Sequence, residues 1–253
     1  MRVSLPDAFL KSPIAHRALH DEGQGRAENN FAAIEAAIAG GFGIEIDIQQ
    51  SKDGQAMVFH DYHLDRLTEA TGPFAQHTEA ELSQVRFRSG EIGVPTLAAV
   101  LDRVAGRVPL LIEIKDQDGV MGPNVGPLER KVARLLQSYA GAVAVMSFNP
   151  HAVAALAEAA PNIPRGLTTC GYPPQDWPLL KEETRAALRE ISDYDRVGAS
   201  FVSHQWTNLA SPRIQDLKEV GAHILCWTIR SASEAADAAR YAENITFEGY
   251  VPA

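Results

Sequence analysis

Cysteine, long apolar runs and positive charge are all scarce in this chain of 253 residues. Its two cysteines, Cys170 and Cys226, lie far apart without the spacing of metal ligands, so we expect two buried free thiols. No apolar run approaches the roughly 20 residues that span a bilayer, which predicts no stable membrane insertion. Prolines and charged residues interrupt the N-terminal segment, where a signal peptide would have an apolar core. We therefore expect a cytoplasmic location.

The balance of charge is acidic. The chain has 32 acidic and 23 basic residues, which give a net charge of −9 at pH 7. Binding to a nucleic-acid backbone normally needs a basic surface, so we expect no nucleic-acid partner. A small anionic substrate stays possible, because one bound divalent ion can reverse the local field in an acidic protein. The sequence leaves the oligomeric state open.

Strand-like and helix-like segments alternate along the whole chain. The β-rich segments cover residues 13–18, 43–48, 109–116, 142–148, 165–169, 199–204, 222–229 and 244–250. Helical segments rich in alanine and leucine lie near 29–40, 97–105, 126–139, 150–160, 179–191, 211–220 and 232–241. Eight strands that alternate with helices predict an α/β protein with a (β/α)8 TIM barrel, formed by residues 1–253 as one domain.

One connection is too long for a simple loop between a strand and a helix. Residues 51–95 begin with a hairpin-like segment, SKDGQAMVFHD, that turns at Asp53 and Gly54. We predict that 51–95 is a small inserted subdomain after the second strand, on the C-terminal face of the barrel.

Acidic residues occupy positions where a buried strand is normally apolar. In GIEIDIQQ, Glu45 and Asp47 share one face while the isoleucines take the other, and Glu113 in LLIEIKD repeats the pattern. An edge strand with a solvated acidic face would also explain the first segment. However, the C-terminal ends of barrel strands converge, and three oxygen ligands there suit Mg²⁺ or Ca²⁺ better than zinc.

Two histidines and two basic residues lie at the same predicted strand ends. The metal does not need His16 and His60 as ligands, so both are available for proton transfer near neutral pH. Arg17 and Lys115 can hold phosphate oxygens. Each residue alone has a structural explanation, as a satisfied polar group or half of a salt bridge. Together with the carboxylates they predict cleavage of a phosphate ester at a metal site.

The motifs that carry these residues resemble a known family. In order along the chain they are IAHRA…ENN, GIEIDIQQSKDGQAMVFHD, VPTLAAVL, LLIEIK, SFNP and ILCWTI. From about residue 13 to about residue 229, the sequence is similar to the glycerophosphodiester phosphodiesterases. The resemblance implies a TIM barrel with a small inserted subdomain. It also implies hydrolysis of a small-molecule glycerophosphodiester to sn-glycerol 3-phosphate and an alcohol.

The resemblance also assigns roles to individual residues. The implied metal ligands are Glu45, Asp47 and Glu113, with Mg²⁺ or Ca²⁺ as the ion. The implied acid and base are His16 and His60, and the implied phosphate contacts are Arg17 and Lys115, with Glu28 in support. We add Trp227, Phe148 and Trp206 as a possible aromatic wall beside the glycerol or headgroup, with core packing as the alternative. For His204 we favour a structural role.

The sequence departs from the family pattern at three places. Ala18 stands where the family usually has glycine after His-Arg, and we expect a different first loop because alanine lacks glycine's freedom to take positive φ. Ala27 replaces a proline before Glu-Asn. The usual closing Gly-(Ile/Val)-x-Thr-Asp-x-Pro appears only as ENITFEGYVPA, at 243–253.

Several alternatives stay open at this point. The sequence does not assign base and acid between His16 and His60, and the nucleophile could be water or the substrate's glycerol 2-hydroxyl. A phospholipase-type barrel, phospholipase C or D like and acting on lipid phosphodiesters, is a second enzyme hypothesis. A non-catalytic barrel that binds polyol phosphates is a third hypothesis.

Overall fold

Eight parallel strands close into a barrel with helices between them in the computed structural model, which describes residues 2–252. The strands are β1 (Ile14–Ala15), β2 (Gly43–Gln50), β3 (Ala56–Val58), β4 (Leu110–Ile114), β5 (Val143–Ser147), β6 (Arg165–Thr169), β7 (Phe201–Gln205), β8 (His223–Ile229) and β9 (Asn244–Phe247). The barrel closes because β1 pairs in parallel with both β2 and β9, while β3 is a short antiparallel neighbour of β2. The predicted TIM barrel is confirmed.

The helices follow the predicted order, and most are shorter than their sequence patterns. They are α1 (Phe31–Ala39), α2 (Glu79–Leu82), α3 (Leu97–Val104), α4 (Pro127–Leu136), α5 (Pro150–Ala159), α6 (Glu182–Arg189), α7 (Pro212–Glu219) and α8 (Ala232–Ala238). Within residues 2–252, none of the helices is long and apolar enough to cross a membrane. Both cysteines are buried and free, as predicted.

Alternate side chains of β2 face the core and the predicted site. Ile44, Ile46 and Ile48 are fully buried in the cluster between the strands and the surrounding helices. The other face of β2 therefore points into the barrel. In the register of β2 with β4, Asp47 lies opposite Glu113, so the topology brings two of the predicted metal ligands side by side.

The interior of the barrel below the site is apolar. Phe9, from a short 3₁₀ turn at the N-terminus, is fully buried with Leu111, Phe201 and Leu225. The Asn244 side chain fixes this segment by donating hydrogen bonds to the backbone oxygens of Phe9 (2.6 Å) and Ser12 (2.7 Å). The predicted site residues lie towards the opposite, C-terminal end of the strands.

Residues 51–95 start with the expected hairpin. Gly54 has φ +78° at the turn, and β3 returns antiparallel to β2. The following segment buries its own apolar cluster, whose members include Phe59, Leu64, Phe74 and Leu82. It rejoins the barrel at α3.

The first strand ends earlier than predicted. β1 stops at Ala15 because Arg17 and Ala18 both take left-handed conformations, with φ of 52° and 63°. The expectation that alanine at position 18 would avoid positive φ is therefore wrong. The backbone N–H of Ala18 donates to the backbone oxygen of Glu45 at 3.0 Å, and the Ala18 side chain is buried. These contacts outweigh the preference of alanine for negative φ.

Candidate active site

Three carboxylates form the centre of the site. Glu45 and Asp47 on β2 and Glu113 on β4 each offer one oxygen, and these oxygens all lie within 4.8 Å of one another. Their exposed fractions are 2%, 2% and 6%. Buried carboxylates this close repel one another unless positive charge compensates them.

The pKa values of two of these carboxylates move in opposite directions. Burial, followed by the charges of Asp47 and Glu113, raises the pKa of Glu45 well above its usual range. Burial alone would also raise the pKa of Asp47, but the neighbouring His60, Lys115 and Arg17 side chains outweigh it, and the pKa is lowered. Asp47 is therefore the better compensated of the two, whereas the charged form of Glu45 lacks compensating positive charge from the surrounding residues.

Two basic side chains compensate part of this charge. Lys115 Nζ lies 3.1 Å from a Glu113 oxygen and 3.6 Å from an Asp47 oxygen. Arg17 Nε lies 3.7 Å from the other Asp47 oxygen, and its Nη1 donates to Glu28 at 3.1 Å. Burial opposes the charge on Lys115, yet Glu113 and Asp47 raise its pKa, so it stays cationic.

The loop from residue 17 to residue 29 holds two of the carboxylates by hydrogen bonds. The left-handed turn aims the Arg17 N–H at Glu45 Oε2, at 2.8 Å. Asn29, which is also left-handed, donates from Nδ2 to Asp47 Oδ2 at 2.9 Å and accepts from the Asp47 N–H at 3.1 Å. Sequence reasoning missed Asn29, although asparagine is a residue that tolerates this backbone conformation.

His60 lies in the segment 51–95, two residues after β3. Its Nδ1 is 2.7 Å from Asp61 Oδ1, and Arg66 donates to the same carboxylate from Nε at 2.6 Å. Arg66 also donates to Glu28 at 2.6 Å. Arg66 thus fixes the carboxylate behind His60, and it shares Glu28 with Arg17.

His16 has a carboxylate partner that sequence reasoning did not find. Its Nδ1 lies 2.5 Å from Glu248 Oε2, just after β9. Burial, with Arg17, lowers the pKa of His16 despite this partner. The signal in the sequence was an acidic residue directly after the eighth barrel strand, the position that places a side chain in the site.

All of the predicted site residues except Glu28 and Trp206 line one cleft of about 160 Å³. Its wall includes His16, Arg17, Glu45, Asp47, His60, Glu113, Lys115, Phe148, Trp227 and Arg230. Glu28 is not in this wall; it lines the neighbouring cavity, which has Arg17 in common with the cleft.

Only part of the suggested aromatic wall lies at the cleft. Phe148 and Trp227 line it, with ring centroids 5.5 Å apart, and Trp227 Nε1 donates to the Ser203 oxygen at 3.0 Å. Trp206 packs instead against the main core and does not line the cleft, because it lies in the 3₁₀ turn after β7.

His204 has the structural position that we favoured. It is 2% exposed, and its Nδ1 lies 2.7 Å from Thr169 Oγ1 on the neighbouring strand. Burial lowers its pKa to about 4. It does not line the cleft.

The residues present fit a hard divalent cation. The donors are carboxylate oxygens, the kind that Mg²⁺ and Ca²⁺ prefer. Burial and the neighbouring carboxylates raise the pKa of Glu45, and a bound cation would favour its charged form. The cluster could therefore hold a metal ion.

The sequence of residues 16–247 matches the model of the glycerophosphoryl diester phosphodiesterase family. The chain belongs to this family. The matched segment begins at His16 and includes every predicted site residue, so the expected family and enzyme class are confirmed.

Individual relatives agree with the family match. The protein YhdW of Bacillus subtilis (strain 168) is 30% identical over 219 residues, which cover 83% of each chain. A glycerophosphodiester phosphodiesterase of Caldanaerobacter subterraneus subsp. tengcongensis is 28% identical over 227 residues, with 85% of this chain and 84% of its own covered.

Solved structures support the same fold. A phosphodiesterase of Oleispira antarctica, determined in complex with the product sn-glycerol-3-phosphate, superposes with a TM-score of 0.78 at 22% identity. The alignment covers 95% of this chain and 94% of that one. A glycerophosphodiester phosphodiesterase of Agrobacterium tumefaciens gives a TM-score of 0.68 at 24% identity, covering 93% and 95%.

Proposed function

We propose that this protein hydrolyses glycerophosphodiesters to sn-glycerol 3-phosphate and an alcohol. The observation that carries the proposal is the cluster of Glu45, Asp47 and Glu113 in a cleft that both His16 and His60 line. The complex of the Oleispira antarctica enzyme with sn-glycerol-3-phosphate supports the same product.

Glu45, Asp47 and Glu113 are proposed to hold one Mg²⁺ or Ca²⁺ ion. When bound, such an ion neutralises and orients phosphate oxygens. The chain contributes the remaining charge. Arg17, held by Glu28, and Lys115, held by Glu113, are cationic groups at the cleft that can each contact a phosphate oxygen.

His16 and His60 are proposed to move the protons. Each has its Nδ1 against a carboxylate, which leaves Nε2 for the reacting groups. One histidine takes the proton of the nucleophile, and the other gives a proton to the oxygen of the leaving alcohol. Phosphorus NMR of the reaction would distinguish a cyclic phosphate, formed by the glycerol 2-hydroxyl, from direct attack by water.

Trp227 and Phe148 are proposed to contact the carbon atoms of the substrate. Their rings meet edge to face beside the polar residues of the cleft, so they offer an apolar surface next to the phosphate position.

A panel of soluble glycerophosphodiesters tests the substrate class. The diesters carry choline, ethanolamine, glycerol or inositol, and coupled detection reports glycerol 3-phosphate in the presence of Mg²⁺ or Ca²⁺. We expect turnover of at least one diester and none of intact phospholipid vesicles. Turnover of vesicles alone would favour the phospholipase-type hypothesis, and binding without turnover would favour a polyol-phosphate-binding barrel.

We further propose that residues 1–253 act as one domain in which 51–95 is an inserted subdomain. The segment supplies His60, Asp61 and Arg66, so its packing against the barrel bears on the site. The cytoplasmic location stays a prediction from the sequence.

A further inference from the structure

We propose that Glu248 is the residue that positions His16 for proton transfer, and that Arg230 in turn holds Glu248. This inference rests on the proposed catalytic role of His16. It adds the last barrel strand, whose closing segment departs from the family pattern, to the machinery of the site.

The register of the barrel brings the two residues together. Where the barrel closes, β1 pairs with β9 so that Ala15 lies opposite Phe247. His16 and Glu248 directly follow these two strands, and the His16 N–H donates to the Phe247 backbone oxygen at 2.9 Å. Their proximity is therefore a property of the closed barrel and does not depend on a long loop.

The contact with Glu248 holds the imidazole ring of His16 at its Nδ1 atom. Glu248 Oε2 lies 2.5 Å from His16 Nδ1, and a carboxylate there selects the tautomer with the proton on Nδ1. The Nε2 lone pair of that tautomer is free for a proton of the substrate or of water. Glu248 is well suited to the task, because the hydrogen bond from His16 and the charge of Arg230 outweigh burial and lower its pKa.

Glu248 is itself held at several points. Arg230 Nη2 lies 2.5 Å from Oε1, the oxygen that does not contact His16. The Glu248 N–H donates to the Ile229 oxygen at 3.0 Å, and His20 Nε2 lies 3.7 Å from Oε2. Two oxygens with separate partners leave the carboxylate little freedom to rotate.

The same arrangement occurs at the second histidine. His60 Nδ1 contacts Asp61, whose carboxylate receives two hydrogen bonds from Arg66. Each of the two histidines in the cleft thus contacts a carboxylate that an arginine also contacts, and the two carboxylate–arginine pairs come from different parts of the chain.

The test compares Glu248→Gln with Glu243→Gln. Glu243 is a matched control because its carboxylate lies 2.7 Å from Nδ1 of another histidine, His223, outside the cleft residues. We expect Glu248→Gln to lower kcat by about 10- to 100-fold with little change in KM, as for other residues that orient a functional histidine. Glu243→Gln should keep the wild-type kcat.

A spectroscopic readout separates positioning from general stability. In ¹⁵N-histidine NMR, with His16 assigned from His16→Ala, we expect a neutral ring protonated on Nδ1 in the wild type. Glu248→Gln should change that tautomer population while leaving His60 and the melting temperature nearly unchanged. Wild-type kcat and an unchanged His16 tautomer in a folded Glu248→Gln protein would overturn the inference.

The variant His16→Ala distinguishes this failure from failure of the proposed function. If Glu248 acts through His16, His16→Ala/Glu248→Gln loses no more kcat than His16→Ala alone. If His16→Ala is inactive while Glu248→Gln is fully active, only the positioning role is wrong. If His16→Ala is fully active, the proposed proton transfer by His16 is wrong as well.

Discussion

The contacts and burial of each histidine decide whether one of its ring nitrogens is available in the cleft. His16 and His60 have one ring nitrogen on a carboxylate, so the other nitrogen is available to a ligand. His63, three residues after His60, has a side chain that is 64% exposed and does not line the cleft. The surroundings of each histidine, not its residue type, therefore separate the proposed catalysts from the bystander.

Replacing either proposed catalyst should remove most of the activity. We expect His16→Ala and His60→Ala each to lower kcat by about 10²- to 10⁴-fold, since positioned acid–base groups contribute that much. His63→Ala is the control and should be as active as the wild type. Steady-state kinetics with metal present measures all three. Near-wild-type kcat in either His16→Ala or His60→Ala would contradict its assignment.

Burial of His204 should affect how the stability of the protein depends on pH. Its pKa falls from 6.5 in the unfolded chain to about 4 in the folded protein because it is buried. A neutral histidine in the folded state contributes stability above pH 6.5, and that contribution is lost as the pH falls from 6.5 towards 4. By pH 5 the loss is about 2 kcal/mol.

Urea unfolding at pH 7.5 and pH 5.0 measures this effect. Wild-type protein should lose more stability between the two pH values than His204→Asn, by about 2 kcal/mol. His63→Asn, at an exposed position, should show the wild-type pH dependence. Equal pH dependence in the wild type and His204→Asn would show that His204 becomes protonated without cost in the folded state.

At the scale of elements, β2 organises both the carboxylate cluster and His60, which follows it in the chain. Gln49, on the same face as Glu45 and Asp47, donates from Nε2 to the Phe59 oxygen (2.9 Å) and the Asp61 oxygen (2.7 Å). These two bonds lie on either side of His60 in the chain. β2 therefore positions His60 although it does not contain it.

Gln49→Leu tests this connection. The substitution leaves two backbone carbonyls without their donor, and we expect a loss of about 2 kcal/mol in the free energy of unfolding. Displacement of His60 should lower kcat by about 10- to 100-fold. Gln50→Leu, on the opposite face of the strand, is the matched control and should leave kcat unchanged. Full activity in Gln49→Leu would show that His60 is positioned by other contacts.

The elements also show how far the sequence could predict the fold. The periodicity of residues 43–50 predicted β2 with the correct inward face, because alternation follows from the backbone alone. β1 was predicted too long, since the left-handed turn at Arg17 and Ala18 depends on packing with β2 and α1. Glu248 was missed because its role requires the closure of β9 onto β1, a contact between the two ends of the chain.

At the scale of the whole molecule, barrel closure brings together residues that lie far apart in sequence. The site draws on the segments around residues 16, 45, 60, 113, 227 and 248. The three clustered carboxylates and the two histidines of the cleft could be predicted because they occur at strand ends in a family motif. The residues that hold the carboxylates of the site could not be predicted, since their side chains reach the site from loops. They are Asn29, Arg66 and Arg230.

A bound ion should stabilise the whole molecule. An ion that binds only the folded state at 100 times its Kd adds about 2.7 kcal/mol, which raises the melting temperature by about 5–10 °C. We expect this increase when Mg²⁺ or Ca²⁺ is added to protein treated with EDTA. Asp47→Asn should lose the increase, whereas Glu158→Gln, at an exposed position on α5, should retain it. An equal increase in Asp47→Asn would place the ion elsewhere.

The most direct test of metal-dependent hydrolysis at the carboxylate cluster is release of glycerol 3-phosphate from a soluble glycerophosphodiester by protein treated with EDTA. The wild type should be inactive after chelation and should recover on addition of Mg²⁺ or Ca²⁺. Glu113→Gln, which removes one ligand charge, should stay folded and recover far less activity at the same ion concentration. Full activity in EDTA, or equal recovery in Glu113→Gln, would contradict the account.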